Sequence, residues 1–410
     1  MKNAIESAED AGGPVGADVV AACALSSVPG LGALALSRIA ELFGSLAEAM
    51  QVGPAQILLR HEEGALQLRP AAVEYLSRKP DLARLGLWAV GSAKACGARV
   101  VVLGDPFYPA LLRQIDLPPA LLYVRGLLPA DVPRVAIVGA RASDDYGLAL
   151  ARELAEGLAS AGVQVVSGGA RGVDAAAHAG ALWGQGTTVA VLGCGIDLVY
   201  PPGNGPLFER LASGGGAVVS EFPPGTAPLP ANFPRRNRTI SGLSSAVVVV
   251  RAAIDSGAMI TANHAAQQGR PIFAVPGEAF APLSAGPNQL LTRGAARAVT
   301  SAADVLRQLG WGVPPQLDAP PAVPLPEPTT GATGAEPLRP LTVPGGDDQA
   351  LDEVSIRLWR LLDDRRPVHL DELAARAHIA AQEALRKMQD LELRGLCFQR
   401  PGKYYLRRQA

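Results

Sequence analysis

The chain is poor in the side chains that build metal and redox centres. Its four cysteines, Cys23, Cys96, Cys194 and Cys397, stand far apart and form no CxxC pair. That spacing suggests neither a zinc site nor a disulfide framework. Five histidines, His61, His178, His264, His369 and His378, form no HisGluxxHis, and neither a Walker A lysine motif nor a GlyxSerxGly elbow occurs. Lysine is nearly missing: only five of the 37 basic residues are lysine, with none between Arg134 and Gly310. A GC-rich coding bias explains that imbalance, as does selection for forked phosphate-binding cations. No apolar run reaches the roughly 18 residues of a membrane span. Residues 1–10 carry no apolar signal core. The expectation is a cytoplasmic chain with no membrane partner, metal or cofactor.

What is present is globular. The 410 residues are 48% hydrophobic, 18% charged and 5% aromatic, enough for two to four domains. The formal net charge is -1, so any nucleic-acid site has to be a local patch. Residues 1–17 read as a loose tail and 18–79 as a helical domain. Inside the latter, Val28-Pro29-Gly30-Leu31-Gly32 resembles the turn of a helix-hairpin-helix, and a plain helical connector fits it as well. Residues 80–312 hold strand candidates at 99–103 and 121–124. Further candidates follow at 135–138, 163–166, 188–192, 217–220, 246–250 and 272–275. Each is a short apolar run, as in strands covered on both faces. Helical segments at 146–161, 173–182, 206–212, 235–243 and 258–268 alternate with the later strands, which predicts an α/β doubly wound parallel sheet. Ten prolines in residues 313–349 predict a tether. Within 350–410, three short helices and a hairpin read as a winged helix, with a net charge of about +3 from its Arg, Lys, Asp and Glu.

The chemistry-bearing residues fall where strands end. Ser167-Gly168-Gly169-Ala170-Arg171-Gly172 joins a strand to a helix, so its glycines allow close backbone approach to an anion and Arg171 adds a fork. Gly139-Ala140-Arg141-Ala142-Ser143 repeats that arrangement after the first core strand. Phe233-Pro234-Arg235-Arg236-Asn237-Arg238 is the most basic element, and no acid lies between Phe222 and Ala253. Phosphate binding by these arginines with a base stacked on Phe233 is expected. Arg235 and Arg238, three apart, are expected to face the ligand rather than Arg236. Ser256-Gly257 either caps a helix or binds an oxygen. Asp174 and His178 share a helix face, as an acid–base pair or as an internal hydrogen bond.

Together these motifs resemble the DNA-processing protein A (DprA/Smf) family. The stretches that carry the likeness are 135–141, 167–174, 190–197, 199–202, 220–225, 233–243 and 273–277, with 108–112 and 118–126 upstream. The resemblance implies an extended Rossmann-like domain between a helical N-terminal domain and a C-terminal winged helix. It also implies a homodimer that binds single-stranded DNA, protects incoming DNA and helps load the RecA recombinase in natural transformation. Carried over by motif, Arg141, Arg171, Phe233, Arg235 and Arg238 are the DNA contacts. The chain departs from the family at Val250-Arg251-Ala252, where Val-Glu-Ala is common, and at Asn263-His264. The alternative is a nucleotide-binding or N-glycosidic-bond-cleaving enzyme of a related Rossmann family. The absence of a Pro-Gly-Gly-x-Gly-Thr-x-x-Glu loop favours binding.

Overall fold

The structure is a computed structural model that describes residues 15–312, 351–363, 367–394, 396–400 and 403–407. The expected tether at 313–349 lies outside the described residues, as does most of the expected tail. The chain divides into two compact units, residues 1–322 and 323–410.

The first unit is built on a nine-stranded sheet ordered β1-β2-β6-β5-β4-β3-β7-β8-β9. Its strands are β1 (Arg99–Val102), β2 (Leu121–Gly126), β3 (Arg134–Val138), β4 (Gln164–Ser167), β5 (Thr188–Leu192), β6 (Gly216–Ser220), β7 (Ala246–Val249), β8 (Ile272–Ala274) and β9 (Arg297–Ala298). From β6 to β9 every pairing is parallel. The expected doubly wound parallel sheet is thus present, and β1 and β2 add to β6 as an antiparallel edge.

Alternation fixes how the sheet is buried. Ala136 and Val138 of β3, with Val247 and Val249 of β7, join one core. Val135 and Ile137, with Ala246 and Val248, join the core on the opposite face. Both faces are covered by helices, which is why these strands read as unbroken apolar runs.

Helices pack on both faces of this sheet and beside its edge. In chain order they are α1 (Ala17–Ser26), α2 (Ala33–Phe43), α3 (Leu46–Val52), α4 (Pro54–Glu62), α5 (Pro70–Ser77), α6 (Leu82–Ala95), α7 (Ala110–Arg113), α8 (Asp145–Ser160), α9 (Val173–Trp183), α10 (Gly205–Arg210), α11 (Asn232–Gly242), α12 (Gly257–Gln267), α13 (Ala285–Thr292) and α14 (Ala302–Gln308). α1 is apolar on all sides because it is wedged between two cores. Ala22 and Cys23 face the sheet, and Ala24 and Leu25 face the helical layer. α6 packs on α1 so closely that a Cβ at Gly86 would strike the Val20 carbonyl. The boundary expected after residue 79 therefore cuts between two helices of one layer.

The second unit has helices α15 (Glu353–Leu361), α16 (Leu370–Ala377) and α17 (Ala381–Leu393) and a sheet ordered β10-β12-β11. The expected hairpin is β11 (Cys397–Arg400) with β12 (Tyr404–Arg407). A third strand, β10 (Val368–His369), pairs with β12 and was too short to show as a pattern. The result is a winged helix.

Candidate nucleic-acid interface

The sheet turns its carboxyl ends toward one groove. The chain runs from β3 outward to β6, then crosses to β7 on the other side of β3. Such a reversal opens a crevice where α/β sheets hold ligands. The groove there has a volume of about 680 Å³ and is lined by the loops after β3 and β4 and by α11 and α12.

Glycines bring these loops together. Gly172 sits at φ +75°, and a Cβ there would press on the carbonyls of Ala140 and Arg141. The loop after β4 thus lies directly against the loop after β3, and Val173 N–H donates to the Ala140 carbonyl at 3.2 Å. Gly193, after β5, leaves room for the Phe233 ring. The Asn204 amide donates to the carbonyls of Gly169 and Ala170 at 2.8 and 3.2 Å and holds the glycine loop from outside. Nothing in the sequence pattern marked Asn204 for that task.

Two arginines meet one aromatic ring. The Arg141 guanidinium lies 5.0 Å from the Phe233 ring centre and that of Arg236 5.7 Å. Tyr200 adds a second ring 5.9 Å from Phe233. Arg141 and Arg171 are exposed, whereas Arg236 is 5% exposed. Arg171, Gly168, Gly193 and Pro201 line a smaller recess beside the groove. Pro228, Pro230 and Ile260 give the groove an apolar wall. Cations and rings side by side suit a chain of phosphates and bases.

Arg236 is tied down. Its Nη1 donates to the carbonyls of Gly168 and Val191, the latter at 2.6 Å, and its Nε to Asn237 Oδ1 at 3.1 Å. Burial pulls its guanidinium down from the usual range, and Asp174 opposes that. Burial likewise pushes the Asp174 carboxyl up, against the pull of Arg236 and of the Ala170 N–H, which Asp174 accepts at 3.3 Å.

The two arginines expected to face the ligand, Arg235 and Arg238, point away from this groove. Arg235 leans over the Phe222 ring at 4.9 Å. Arg238 pairs at 3.8 Å with buried Glu221, which also accepts from the Thr239 hydroxyl. Neither lines the groove, whereas Arg236 does. The serines also divide. Ser167 Oγ donates to the Ile137 carbonyl at 2.7 Å and Ser143 Oγ lies beside Asp144, so both are turned to internal partners. Gly139, Ser256, Gly257 and Asn237 do line the groove. Ser256 makes no capping bond at the start of α12. Its buried Oγ has no partner among the described residues.

Asp174 and His178 are not bonded to each other. Thr188 Oγ1 donates its one proton to the Val165 carbonyl at 2.7 Å. The Nδ1 of His178, 2.7 Å from that oxygen, is therefore the donor. Burial pulls this imidazole down to about 3. An unfolded histidine titrates near 6.5, so the unfolded chain binds the extra proton between those values. Stability from this group is complete above pH 6.5 and falls as the pH drops toward 3. Between pH 6.5 and 4.5 the loss should be about 2–3 kcal/mol. Urea midpoints for wild type and His178→Asn at both pH values check this, and the variant should show the flatter acid limb.

Comparison with known proteins gives the same assignment from both ends of the chain. The model of the DNA recombination-mediator protein A family matches residues 99–310, and that of the DprA winged helix domain matches residues 344–403. Protein Smf of Synechocystis is 34% identical over 404 residues, covering 94% of this chain and 98% of that protein. Protein Smf of Escherichia coli is 39% identical over 305 residues, covering 74% and 76%. The X-ray structure of DprA from Streptococcus pneumoniae matches with a TM-score of 0.60 at 31% identity, covering 72% of this chain and 99% of that one. A match that runs from the helical layer through the sheet, with the winged helix recognised separately, means that this chain belongs to the DNA recombination-mediator protein A (DprA/Smf) family.

Proposed function

We propose that this chain binds single-stranded DNA in the groove at the switch point of its sheet and acts there as a recombination mediator. The observation that carries the reading is the convergence of Arg141, Arg171 and Arg236 around Phe233. Arg141 and Arg171 hold phosphates, the glycine-rich loops let the backbone approach them, and Phe233 with Tyr200 stacks bases. Arg236 supplies fixed positive charge from below. Duplex bases are already stacked and paired, so rings inside a groove favour a single strand. Under the same reading the protein works as a homodimer that protects incoming strands in natural transformation and passes them to RecA. No residue is assigned to those two contacts.

Catalysis is the weaker reading. Asp174 accepts from the Ala170 amide while fully buried His178 donates to Thr188, so the two form no acid–base pair. The deciding experiment is fluorescence anisotropy with a labelled oligonucleotide, single-stranded and then duplex, over a salt series. Tighter binding of the single strand, weakening as salt rises, is expected. Equal affinity for both forms at every salt concentration would overturn the reading.

A further inference from the structure

Arg251 follows the all-valine end of β7 and is only 5% exposed. It does not line the groove. Its guanidinium instead gathers two segments behind it. Nη2 pairs with Asp144 Oδ2 at 3.1 Å, and Nη1 donates to Ser284 Oγ at 2.5 Å. The same group lies 4.9 Å from the centre of the Tyr146 ring. The backbone continues the pattern. Ala140 N–H donates to the Arg251 carbonyl at 2.6 Å, while Ala252 N–H donates to the Leu283 carbonyl at 2.7 Å and the Ala252 carbonyl accepts from Gly286 N–H at 2.9 Å.

Room for this side chain is made by glycines on three different segments. A Cβ at Gly139 would meet the Arg251 carbonyl, one at Gly147 its Cγ, and one at Gly277 its Nη1. Asp144 is doubly engaged, because its Oδ1 also caps α8 through the Gly147 amide at 2.8 Å. Arg251 is thus bonded to both ends of the loop that carries Arg141: to Ala140 by its backbone and to Asp144 by its side chain. The far side of the same residue is fixed to the start of α13 at Ser284.

We infer that Arg251 is a positioning residue for DNA binding: it holds the Arg141 loop in its gripping form and links that loop to the segment leading into α13. The inference rests on the groove being the DNA site. The link has a direction that can be checked. Loss of the guanidinium releases Asp144 and Tyr146 on one side and Ser284 on the other, while the sheet, built from β3 and β7, stays paired. The loop then samples other conformations, and Arg141 is presented less often in the form that meets a phosphate. Such a loss lowers affinity without removing a phosphate contact.

The test uses the full chain and the variants Arg251→Ala and Arg251→Lys, with Arg141→Ala for comparison. Amide hydrogen exchange is read in the free protein over residues 140–147 and 278–286. Oligonucleotide affinity is then read over a salt series. Arg251→Ala should speed exchange in both segments together and weaken binding about tenfold, the low end of what a lost supporting partner costs a ligand site. Its salt slope should stay at the wild-type value, whereas Arg141→Ala should lower the slope. Arg251→Lys, which keeps the charge beside Asp144, should recover part of the protection and the affinity. Wild-type exchange in Arg251→Ala would overturn the inference, as would a slope that falls as far as in Arg141→Ala. If Arg251→Ala melts below the assay temperature, Arg251→Lys decides alone. It should show intermediate exchange in both segments, and wild-type exchange in either would overturn the link. Failure of the DNA reading looks different. There the wild type does not bind the oligonucleotide, while the exchange result still reports whether Arg251 holds the loop.

Discussion

Arg236→Ala should cost the folded state about 3–5 kcal/mol, the scale on which removing one partner of a buried charged group acts. The residue is 5% exposed, and its guanidinium satisfies the carbonyls of Gly168 and Val191. Without it those carbonyls and the Asp174 carboxylate stay buried with no cation to offset them. Domains are stable by only about 5–15 kcal/mol, so the melting temperature should fall steeply. Arg236→Lys reaches one carbonyl at best, because an ammonium lacks the fork that spans two. It should recover less than half of the loss. Thermal melts and urea midpoints read both. A variant that melts like wild type would mean that the carbonyl contacts carry no stability.

The second large effect falls on binding and leaves the fold alone. Arg141 and Arg171 are both exposed, at the ends of loops held by other residues. Replacing both with alanine should leave the melting temperature near wild type. A charge-assisted bond is worth roughly 1.5–3 kcal/mol, so the pair should contribute roughly 3–6 kcal/mol of affinity for a single strand. That is a loss of more than about a hundredfold. Phe233→Ala should cost less, roughly 1–3 kcal/mol for the one base it stacks. Arg235→Ala should cost less than Arg141→Ala or Arg171→Ala, because that side chain leans on Phe222 instead.

Most of the sheet was readable in the sequence, for a physical reason. Strands covered by helices on both faces must be apolar at every position, and 135–138, 188–192 and 246–250 stand out as such. Glycine loops were readable too, since only glycine lets the loop at Gly172 lie against the carbonyls of Ala140 and Arg141. Strand direction was not readable, because a short apolar run is the same forwards and backwards. The antiparallel direction of β1 and β2 therefore emerges only in the fold. The orientation of the α11 arginines is hidden in the sequence for a sharper reason. The acid-free window runs from Phe222 to Ala253, and Glu221 stands one residue before it. A buried carboxylate needs a cation, and Glu221 takes Arg238. Helix geometry then sends Arg235 to the same side and turns Arg236 toward the sheet. Arg251 was noted as a departure from the family pattern, but its partner Asp144, 107 positions away, is invisible without the fold.

The central claim is that phosphates sit at Arg141 in the switch-point groove and at Arg171 in the recess beside it. It is tested most directly by the salt dependence of single-strand binding in wild type and in the Arg141→Ala, Arg171→Ala double variant. Each phosphate contact to a single strand contributes about 0.7 to the slope of log affinity against log salt. The double variant should therefore bind with a slope shallower by about 1.4 and an unchanged melting temperature. A folded double variant that keeps the wild-type slope would contradict the account and place the DNA elsewhere on the protein.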